Sequence, residues 1–228
     1  MLMNINTNLS EFKKKHKNKK NQIIFHKVNC KSNKTIENII DNFLTKKNSF
    51  IFESVEKRRI RGRYTIIGAD PDKVWEFNKK KIQLIKSGSK KKLIKANPYS
   101  FLKKLIENFS FPLPRNLPPL CSLLVGYFSY DIIRYIEKIP DKCTDDLKIP
   151  DVRIIRPKTI IIHDNLDKKI YFIKNCFADE KISNYLRYYS NEIKSIKMLK
   201  NLTFNRKYYK NNKKAINRKV KVKSNIQK

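Results

Sequence analysis

The sequence is poor in glycine, histidine and acidic residues, and it contains no long apolar run. Its 228 residues include 4 glycines, 3 histidines and 20 acidic residues, against 53 basic ones. No glycine-rich turn suited to phosphate binding is present, and no stretch reaches the roughly 18 apolar residues of a membrane span. The histidines do not cluster with cysteines, so a zinc site is not expected. Nucleotide-binding, membrane and zinc proteins are therefore disfavoured.

The cysteines lack the C-x-x-C spacing of redox and zinc motifs, and no secretory signal precedes them. A reduced intracellular protein is the default for such a chain, so we expect a cytoplasmic location. The four residues are Cys30, Cys121, Cys143 and Cys176.

The excess of basic residues gives a formal net charge of +33. Such a charge invites a non-enzymatic alternative, a basic protein that binds RNA or other anions. Lysine outnumbers arginine about four to one, however. Arginine is better suited to bind phosphates and bases, because its guanidinium donates two parallel hydrogen bonds. We read the lysine excess as a compositional bias and expect only weak, salt-sensitive binding to anions. Residues 1–20, with the run K-K-K-H-K-N-K-K, are predicted to be a disordered basic lead-in.

Apolar periodicity predicts an α+β fold rich in antiparallel sheet with flanking helices. Pro71-Asp72 is predicted to be a turn, and Asn97-Pro98 an N-cap followed by the first helical residue. Helical spacing is found in Asn33–Lys46, the segment after Asn97, Asp131–Glu137 and Asp179–Leu199. Strand patterns are found in Gln22–Val28, Lys73–Asn78, Ile82–Lys86, Leu123–Tyr130, Val152–Asp164 and Lys169–Asn175. The short connections after Asn78 and after Asp164 predict two hairpins.

The most informative segment is Phe50–Asp70, F-I-F-E-S-V-E-K-R-R-I-R-G-R-Y-T-I-I-G-A-D. It predicts two strands joined by a basic turn, with Glu53 and Ser54 where the first strand ends. A hydroxyl beside a carboxylate can hold an amino acid, because the carboxylate pairs with the ammonium group. The plainer alternative is that the two residues close a strand, that Phe52 lies in the core, and that Glu53 pairs with Arg61 or Arg63.

Three further segments follow in order: L-V-G-Y-F-S-Y-D from Leu124, I-P-D-V-R-I-I-R-P from Ile149, and T-I-I-I-H-D from Thr159. Together with F-I-F-E-S-V-E and R-Y-T-I-I-G-A-D-P, this set resembles the N-terminal domain of anthranilate synthase component I. The resemblance runs from about Gln22 to Cys176. The related aminodeoxychorismate synthase component I is an alternative. Ser122, Leu123 and Ser129 depart from the pattern, since they stand where the family usually has glycine.

The resemblance implies an enzyme that converts chorismate and an amino donor, glutamine or ammonia, to anthranilate and pyruvate in tryptophan biosynthesis. It also implies Mg²⁺ for the intact enzyme, a glutamine amidotransferase partner subunit, and feedback inhibition by L-tryptophan. The position carried over first as a tryptophan contact is Ser54, with Glu53 and Phe52 beside it. No catalytic residue and no metal ligand is assigned in this chain.

The domain organisation implied by the resemblance has four parts: the lead-in at 1–20, an anthranilate synthase component I N-terminal domain at 21–178, a linking helix at 179–200, and a basic tail at 201–228 that begins a lost catalytic domain. We therefore expect the chain to be truncated and inactive alone. The acidic pairs Asp145-Asp146 and Asp179-Glu180 are read as turn or helix starts rather than metal ligands. Arg134 and Arg156 are expected to form structural ion pairs.

Overall fold

The fold is described from a computed structural model over residues 5–30, 33–44, 46–53, 62–79, 81–86, 91–114, 116–140, 145 and 147–204. Ser54, Arg61, Cys143 and the 205–228 tail lie outside these residues. The described helices are α1 (Leu9–Lys17), α2 (Asn33–Leu44), α3 (Pro98–Glu107), α4 (Tyr185–Phe204) and a 3₁₀ turn, Tyr130–Tyr135. The strands are β1 (Gln22–Asn29), β2 (Phe50–Glu53), β3 (Tyr64–Asn78), β4 (Lys81–Lys86), β5 (Lys92–Ile94), β6 (Val125–Phe128), β7 (Val152–Asp164) and β8 (Lys169–Cys176).

All described strand pairs are antiparallel, and they form one sheet built on the two long strands β3 and β7. One half of the sheet has the order β1-β8-β7-β3-β2, and the other has β6-β7-β3-β4-β5. Helices accompany this sheet, so the predicted α+β class with antiparallel sheet is confirmed. The predicted hairpins β3-β4 and β7-β8 are also present.

The two halves meet at an irregularity in β3, where the sequence predicted a turn. The register shifts between Pro71 and Lys73, so that Pro71 lies opposite Pro157 and Lys73 opposite Arg156. Asp70 has a φ of 52°, which bends the strand without ending it. The prediction of a Pro71-Asp72 turn was therefore wrong: pairing to β7 continues on both sides, and proline is tolerated at a bulge because it has no N–H to lose.

The sheet carries apolar clusters on both faces. The cluster on the helix side joins α1, α2 and α4 to the sheet through residues such as Phe12, Ile39, Ile161 and Ile196. On the opposite face, Ile66, Ile160 and Ile173 pack beneath the connector that contains Phe111, Leu117 and Leu123. The third cluster, around Trp75, Phe77 and Val152, is covered by α3.

Two predictions, the disordered lead-in and the start of the last helix, were wrong. Leu9–Lys17 is a helix and not a loose lead-in, because Asn8 caps it and Phe12 is fully buried among the tyrosines of α4. The last helix starts at Tyr185, six residues after the predicted Asp179. Asn184 accepts a hydrogen bond from the Arg187 N–H at 2.9 Å and so acts as the cap, while Asp179 and Glu180 are held in ion pairs.

The second predicted helix begins as expected. Asn97 accepts a hydrogen bond from the Ser100 N–H at 3.0 Å, and Pro98 is the first residue of α3. Leu102 and Leu105 of α3 pack against the third cluster, whereas Ile106 is 54% exposed. Among the described residues, no helix has the length and apolar character needed to cross a bilayer.

Candidate functional site

The candidate site lies at the end of β2, an outer strand among the described residues. Phe50 stands opposite Gly68 and Phe52 opposite Ile66. A Cβ atom on Gly68 would lie 2.2 Å from Cε1 of Phe50, so glycine is what allows the Phe50 ring to cross β3. The rings of Phe50 and Phe52 then pack against each other with centroids 5.0 Å apart.

Phe52 presents an aromatic surface to solvent. Its side chain is 49% exposed, whereas Phe50 packs against the cluster that includes Ile66 and Ile160. Phe52 is therefore not a core residue, so the alternative that Phe52 lies in the core was wrong. A half-exposed ring backed by a second ring can stack on a planar apolar ligand at little entropic cost.

Glu53 does not share that surface. It follows Phe52 in the strand and stands opposite Thr65, and successive strand side chains project from opposite faces. The structure thus places Phe52 and Glu53 on different faces of β2, rather than side by side in one pocket. Ser54 is outside the described residues, so its predicted contact stays a prediction.

Of the two arginines that Glu53 could have paired with, Arg61 lies outside the described residues and Arg63 is engaged elsewhere. Arg63 donates from Nε to Oδ1 of Asp164 at 2.9 Å and from Nη2 to Oδ2 at 2.7 Å. Burial disfavours the charged form of Asp164, but the hydrogen bonds from Arg63 and from the backbone N–H groups of Leu166 and Asp167 outweigh it, so the pKa of this carboxyl lies below its ordinary value. This pair ties the start of β3 to the end of β7.

Sequence reasoning did not foresee an open cleft beside the β3 irregularity. Its volume is about 1040 Å³, and both acidic and basic side chains line it. Arg153 donates to Glu76 and, at 2.7 Å, to Oδ1 of Asn48, while Lys91 lies 3.3 Å from Glu76. Glu76 and Arg153 stand opposite each other in β3 and β7. The sequence alone does not show this pairing, because it depends on the register of the two strands.

At the other end of the cleft, a charged network holds α4 on the sheet. Nζ of Lys158 lies 2.7 Å from Glu180 and 3.4 Å from Glu192, and it donates to the Tyr188 hydroxyl at 3.0 Å. Burial lowers the pKa of Lys158, but the two carboxylates raise it by more. Burial also raises the pKa of the neighbouring Cys176 thiol to about 12, so this thiol is not a nucleophile.

The two arginines singled out from the sequence form structural ion pairs, as predicted. Arg156 donates to both oxygens of Asp72 and to Asp179 at 2.8 Å, and its guanidinium lies 3.7 Å from the centroid of the Phe177 ring. Arg134 donates to Asp131 at 2.8 Å and to the carbonyls of Ile139 and Pro140. Both guanidinium groups are thus hydrogen-bonded to protein acceptors.

The described acidic residues do not fit a magnesium site. Magnesium requires carboxylate oxygens that are free to coordinate, but Asp179 is bound by Arg156 and Lys73, and Glu180 by Lys158. Within the part of the chain that the structure describes, no three His, Cys, Asp or Glu side chains are grouped for a metal ion.

The departures from the family glycines have no conformational cost in the backbone. The φ of Ser129 is −74°, and Ser122 and Leu123 are not among the described residues with positive φ. Gly126, within L-V-G-Y, is the position where a side chain could not fit, because its Cβ would lie 2.0 Å from the Arg153 carbonyl oxygen of β7.

Comparison with known proteins agrees with the motifs. Anthranilate synthase component 1 of Cereibacter sphaeroides is 24% identical over 181 residues, covering 78% of this chain and 36% of the relative. The same component of Acetivibrio thermocellus is 32% identical over 133 residues, covering 58% of this chain and 27% of the relative. The chain therefore spans about a third or less of the length of these relatives.

A crystal structure of anthranilate synthase component I from Streptococcus pneumoniae superimposes with a TM-score of 0.46 at 20% identity, covering 68% of this chain and 33% of the other. The family model described as chorismate binding enzyme matches residues 47–226, which include the β2 site and both long strands. With that match over most of its length, the chain belongs to the chorismate binding enzyme family.

Proposed function

We propose that this chain is the N-terminal, feedback-regulatory part of an anthranilate synthase component I. In the intact protein, chorismate and an amino donor, glutamine or ammonia, would be converted to anthranilate and pyruvate in tryptophan biosynthesis. A glutamine amidotransferase subunit would be the partner and L-tryptophan the inhibitor. The family match and the names of the relatives support the assignment to component I, and the buried reduced thiols of Cys121 and Cys176 support the proposed cytoplasmic location.

The observation that carries the regulatory role is the exposed aromatic surface of Phe52 at the end of β2. An indole ring can stack on Phe52, and Ser54, two positions later in the sequence, would supply the hydroxyl that binds the amino acid. Glu53 projects from the other face, so we assign it a supporting role at the strand end rather than a direct contact with the same ligand.

The same surface explains why the chain alone should bind tryptophan weakly. The Phe52 ring packs against the Phe50 ring, and half of its surface faces solvent. A ligand on such a wall leaves much of its own surface in water, and each 100 Å² of lost apolar burial weakens binding by about 2.5 kcal/mol. We propose that the second wall, and the groups that act on chorismate, lie outside the described residues.

Nuclear magnetic resonance titration of the full chain with L-tryptophan tests this assignment. We expect millimolar binding, with the largest shift changes at Phe52 and at Ile66 across from it. Ser54→Ala should weaken the changes severalfold, whereas Ser100→Ala, an exposed serine on α3, should not. Equal changes with D-tryptophan, or micromolar affinity in calorimetry, would contradict the proposal.

The proposed lack of activity is tested separately. The purified chain, supplied with chorismate, ammonium and Mg²⁺, should form no anthranilate above the rate without protein, as followed by anthranilate fluorescence. Turnover that scales with chain concentration would show that the described fold acts on chorismate by itself.

A further inference from the structure

The cleft beside the β3 irregularity is lined by charges of both signs that are unevenly paired. Among the described residues, the lining contains five basic and four acidic side chains: Lys47, Lys86, Lys91, Arg153 and Lys158, and Asp70, Asp72, Glu76 and Glu180. Opposite charges in contact largely cancel at the distance of a ligand. The charges that are left without a partner therefore determine what the cleft can bind.

The part of the cleft from the β3 irregularity to Lys158 is electrically balanced. On and beside this part, each described acid has a basic partner in an ion pair: Lys46–Asp70, Arg156–Asp72, Lys73–Asp179, Lys158–Glu180 and Lys174–Glu192. One base is thus present for each acid, so this part offers no net charge to a ligand.

The opposite end, which we call the Glu76 end, is not balanced. Glu76 has a side chain that is only 8% exposed, and it has two basic partners, since Arg153 donates to it and Nζ of Lys91 lies 3.3 Å away. Lys47 and Lys86 are exposed, and within the described residues neither forms an ion pair. One carboxylate therefore stands among four cations, and the Glu76 end carries an excess of positive charge.

The fold fixes the backbone from which these lysines project. Lys47 precedes Asn48, whose Oδ1 accepts a hydrogen bond from Arg153 at 2.7 Å and so ties the turn before β2 to β7. Lys86 ends β4, where it stands opposite Lys73 of β3. An anion that binds here has to order side chains but not the backbone at these positions, which lowers the entropic cost of binding.

The cleft also has an apolar part. Pro71, Val74 and Ile85 line it, and Val74 stands opposite Ile85 in the β3-β4 hairpin. The volume of about 1040 Å³ is large enough for a small organic molecule as well as for an inorganic ion. A carbon skeleton that carries acidic groups can therefore contact the apolar lining and the lysines together.

We propose that the Glu76 end of the cleft binds a small polyvalent anion, one that carries two or more phosphate or carboxylate groups. Lys47, Lys86 and Lys91 bind the acidic groups as point charges, while Arg153 stays bound to Glu76. A monovalent anion would neutralise only one of the lysines and would bind weakly. This inference rests on the charges of the cleft and not on the function proposed for β2.

Calorimetric titration of the full chain at low salt tests the proposal. Inorganic pyrophosphate and citrate are the polyvalent probes, and acetate is the monovalent one. Lys47→Gln/Lys86→Gln removes two of the unpaired charges. The control Lys14→Gln/Lys17→Gln removes the same charge from exposed lysines of α1, which packs beside β1 at the other edge of the sheet from β4 and β5. Urea denaturation confirms that both variants fold like the parent.

We expect one pyrophosphate or citrate ion to bind per chain and acetate not to bind measurably. The affinity should fall about fivefold to tenfold in the Lys47/Lys86 variant and less than about twofold in the control. The probe that binds more tightly assigns the site to phosphates or to carboxylates. Absence of binding, several anions per chain, or equal losses in the two variants would overturn the proposal, because the last two results are those of a diffuse attraction by the net charge of +33.

A variant of Glu76 supplies a second readout with the opposite sign. Glu76→Gln removes the carboxylate at this end and leaves Arg153 and Lys91 available to the ligand, so the affinity for pyrophosphate should rise severalfold. An unchanged or lower affinity in the folded variant would contradict the proposal, and the Lys47/Lys86 variant decides it if Glu76→Gln does not fold. Tryptophan titration of the Lys47/Lys86 variant should match that of the parent, which separates this site from the function proposed for β2.

Discussion

At the scale of single residues, two glycines of the predicted motifs differ in what they permit. A Cβ on Gly126 would meet the backbone carbonyl of Arg153 at 2.0 Å, whereas a Cβ on Gly68 would meet the ring of Phe50 at 2.2 Å. A ring can rotate away but a paired strand cannot. We therefore expect Gly126→Ala to lower the free energy of unfolding by about 3 kcal/mol and Gly68→Ala by about 1 kcal/mol. Urea denaturation measures both, and equal losses would show that β6 can shift.

The ionisation of Asp179 predicts how stability depends on pH. Burial raises the pKa of this carboxyl, but hydrogen bonds from Arg156 and Lys73 outweigh burial and hold it at about 2. Because the pKa is lower in the folded protein, the stabilisation is complete above the unfolded value of about 3.9 and is lost as the pH falls towards 2.

Unfolding measured between about pH 5 and pH 2 should therefore show a steep loss of stability, and Asp179→Asn should make the curve shallower. Glu107→Gln is the control, since Glu107 is 58% exposed and lies 3.9 Å from Lys103 on α3. An Asp179→Asn curve parallel to that of the parent would show that this ion pair does not contribute.

At the scale of elements, α1 should contribute to the stability of the folded unit. Phe12 is fully buried and stacks on Tyr188 with centroids 5.7 Å apart, and the Tyr189 hydroxyl donates to the Thr7 carbonyl. Phe12→Ala should lower the free energy of unfolding by about 3–5 kcal/mol. The matched control is Phe52→Ala at an exposed ring, with an expected loss below about 1 kcal/mol. Similar losses for both variants would mean that α1 does not pack as described.

The docking of α4 depends on charges as well as on apolar contacts. Lys158 joins Glu180 and Glu192, whose side chains are only 16% and 12% exposed. Lys158→Met leaves both carboxylates without this cation and should cost about 3 kcal/mol. Lys15→Met, in an exposed pair with Glu11 on α1, should cost less than about 0.5 kcal/mol. A double-mutant cycle with Glu192→Gln measures the interaction energy between Lys158 and Glu192. Additive losses in the two single variants would show that this interaction does not stabilise the fold.

For the whole molecule, the net charge of +33 should make stability depend on salt. At 0.1 M salt the repulsion between exposed lysines more than about 10 Å apart is largely screened. The midpoint of thermal unfolding should therefore rise by several degrees between low and moderate ionic strength. Lys14→Glu/Lys17→Glu on the exposed side of α1 should reduce this rise. Weak RNA binding, if present, should fall steeply over the same range, and salt-independent RNA binding would favour the non-enzymatic alternative.

Local sequence signals succeeded where one short segment decides the structure. Asn97-Pro98 predicted the start of α3, and the four residues between β7 and β8 predicted their hairpin. Local signals failed where a contact with a residue far away in the sequence determines the structure. Pro71-Asp72 has the composition of a turn, yet β7 pairs on both sides of it and Arg156 binds Asp72, so the strand continues. Residues 9–17 have the composition of a solvated tail, yet the buried Phe12 makes them a helix of the fold.

The sequence by itself determined the family, the α+β class and the position of most strands, because motifs and apolar periodicity are local properties of the chain. Only the tertiary structure decided that Phe52 and Glu53 occupy different faces of β2, which carboxylates neutralise Arg156 and Lys158, and which apolar residues of the L-V-G-Y-F-S-Y-D segment stay exposed. These outcomes depend on strand register and on contacts between residues far apart in the chain, and side-chain pattern alone does not specify either.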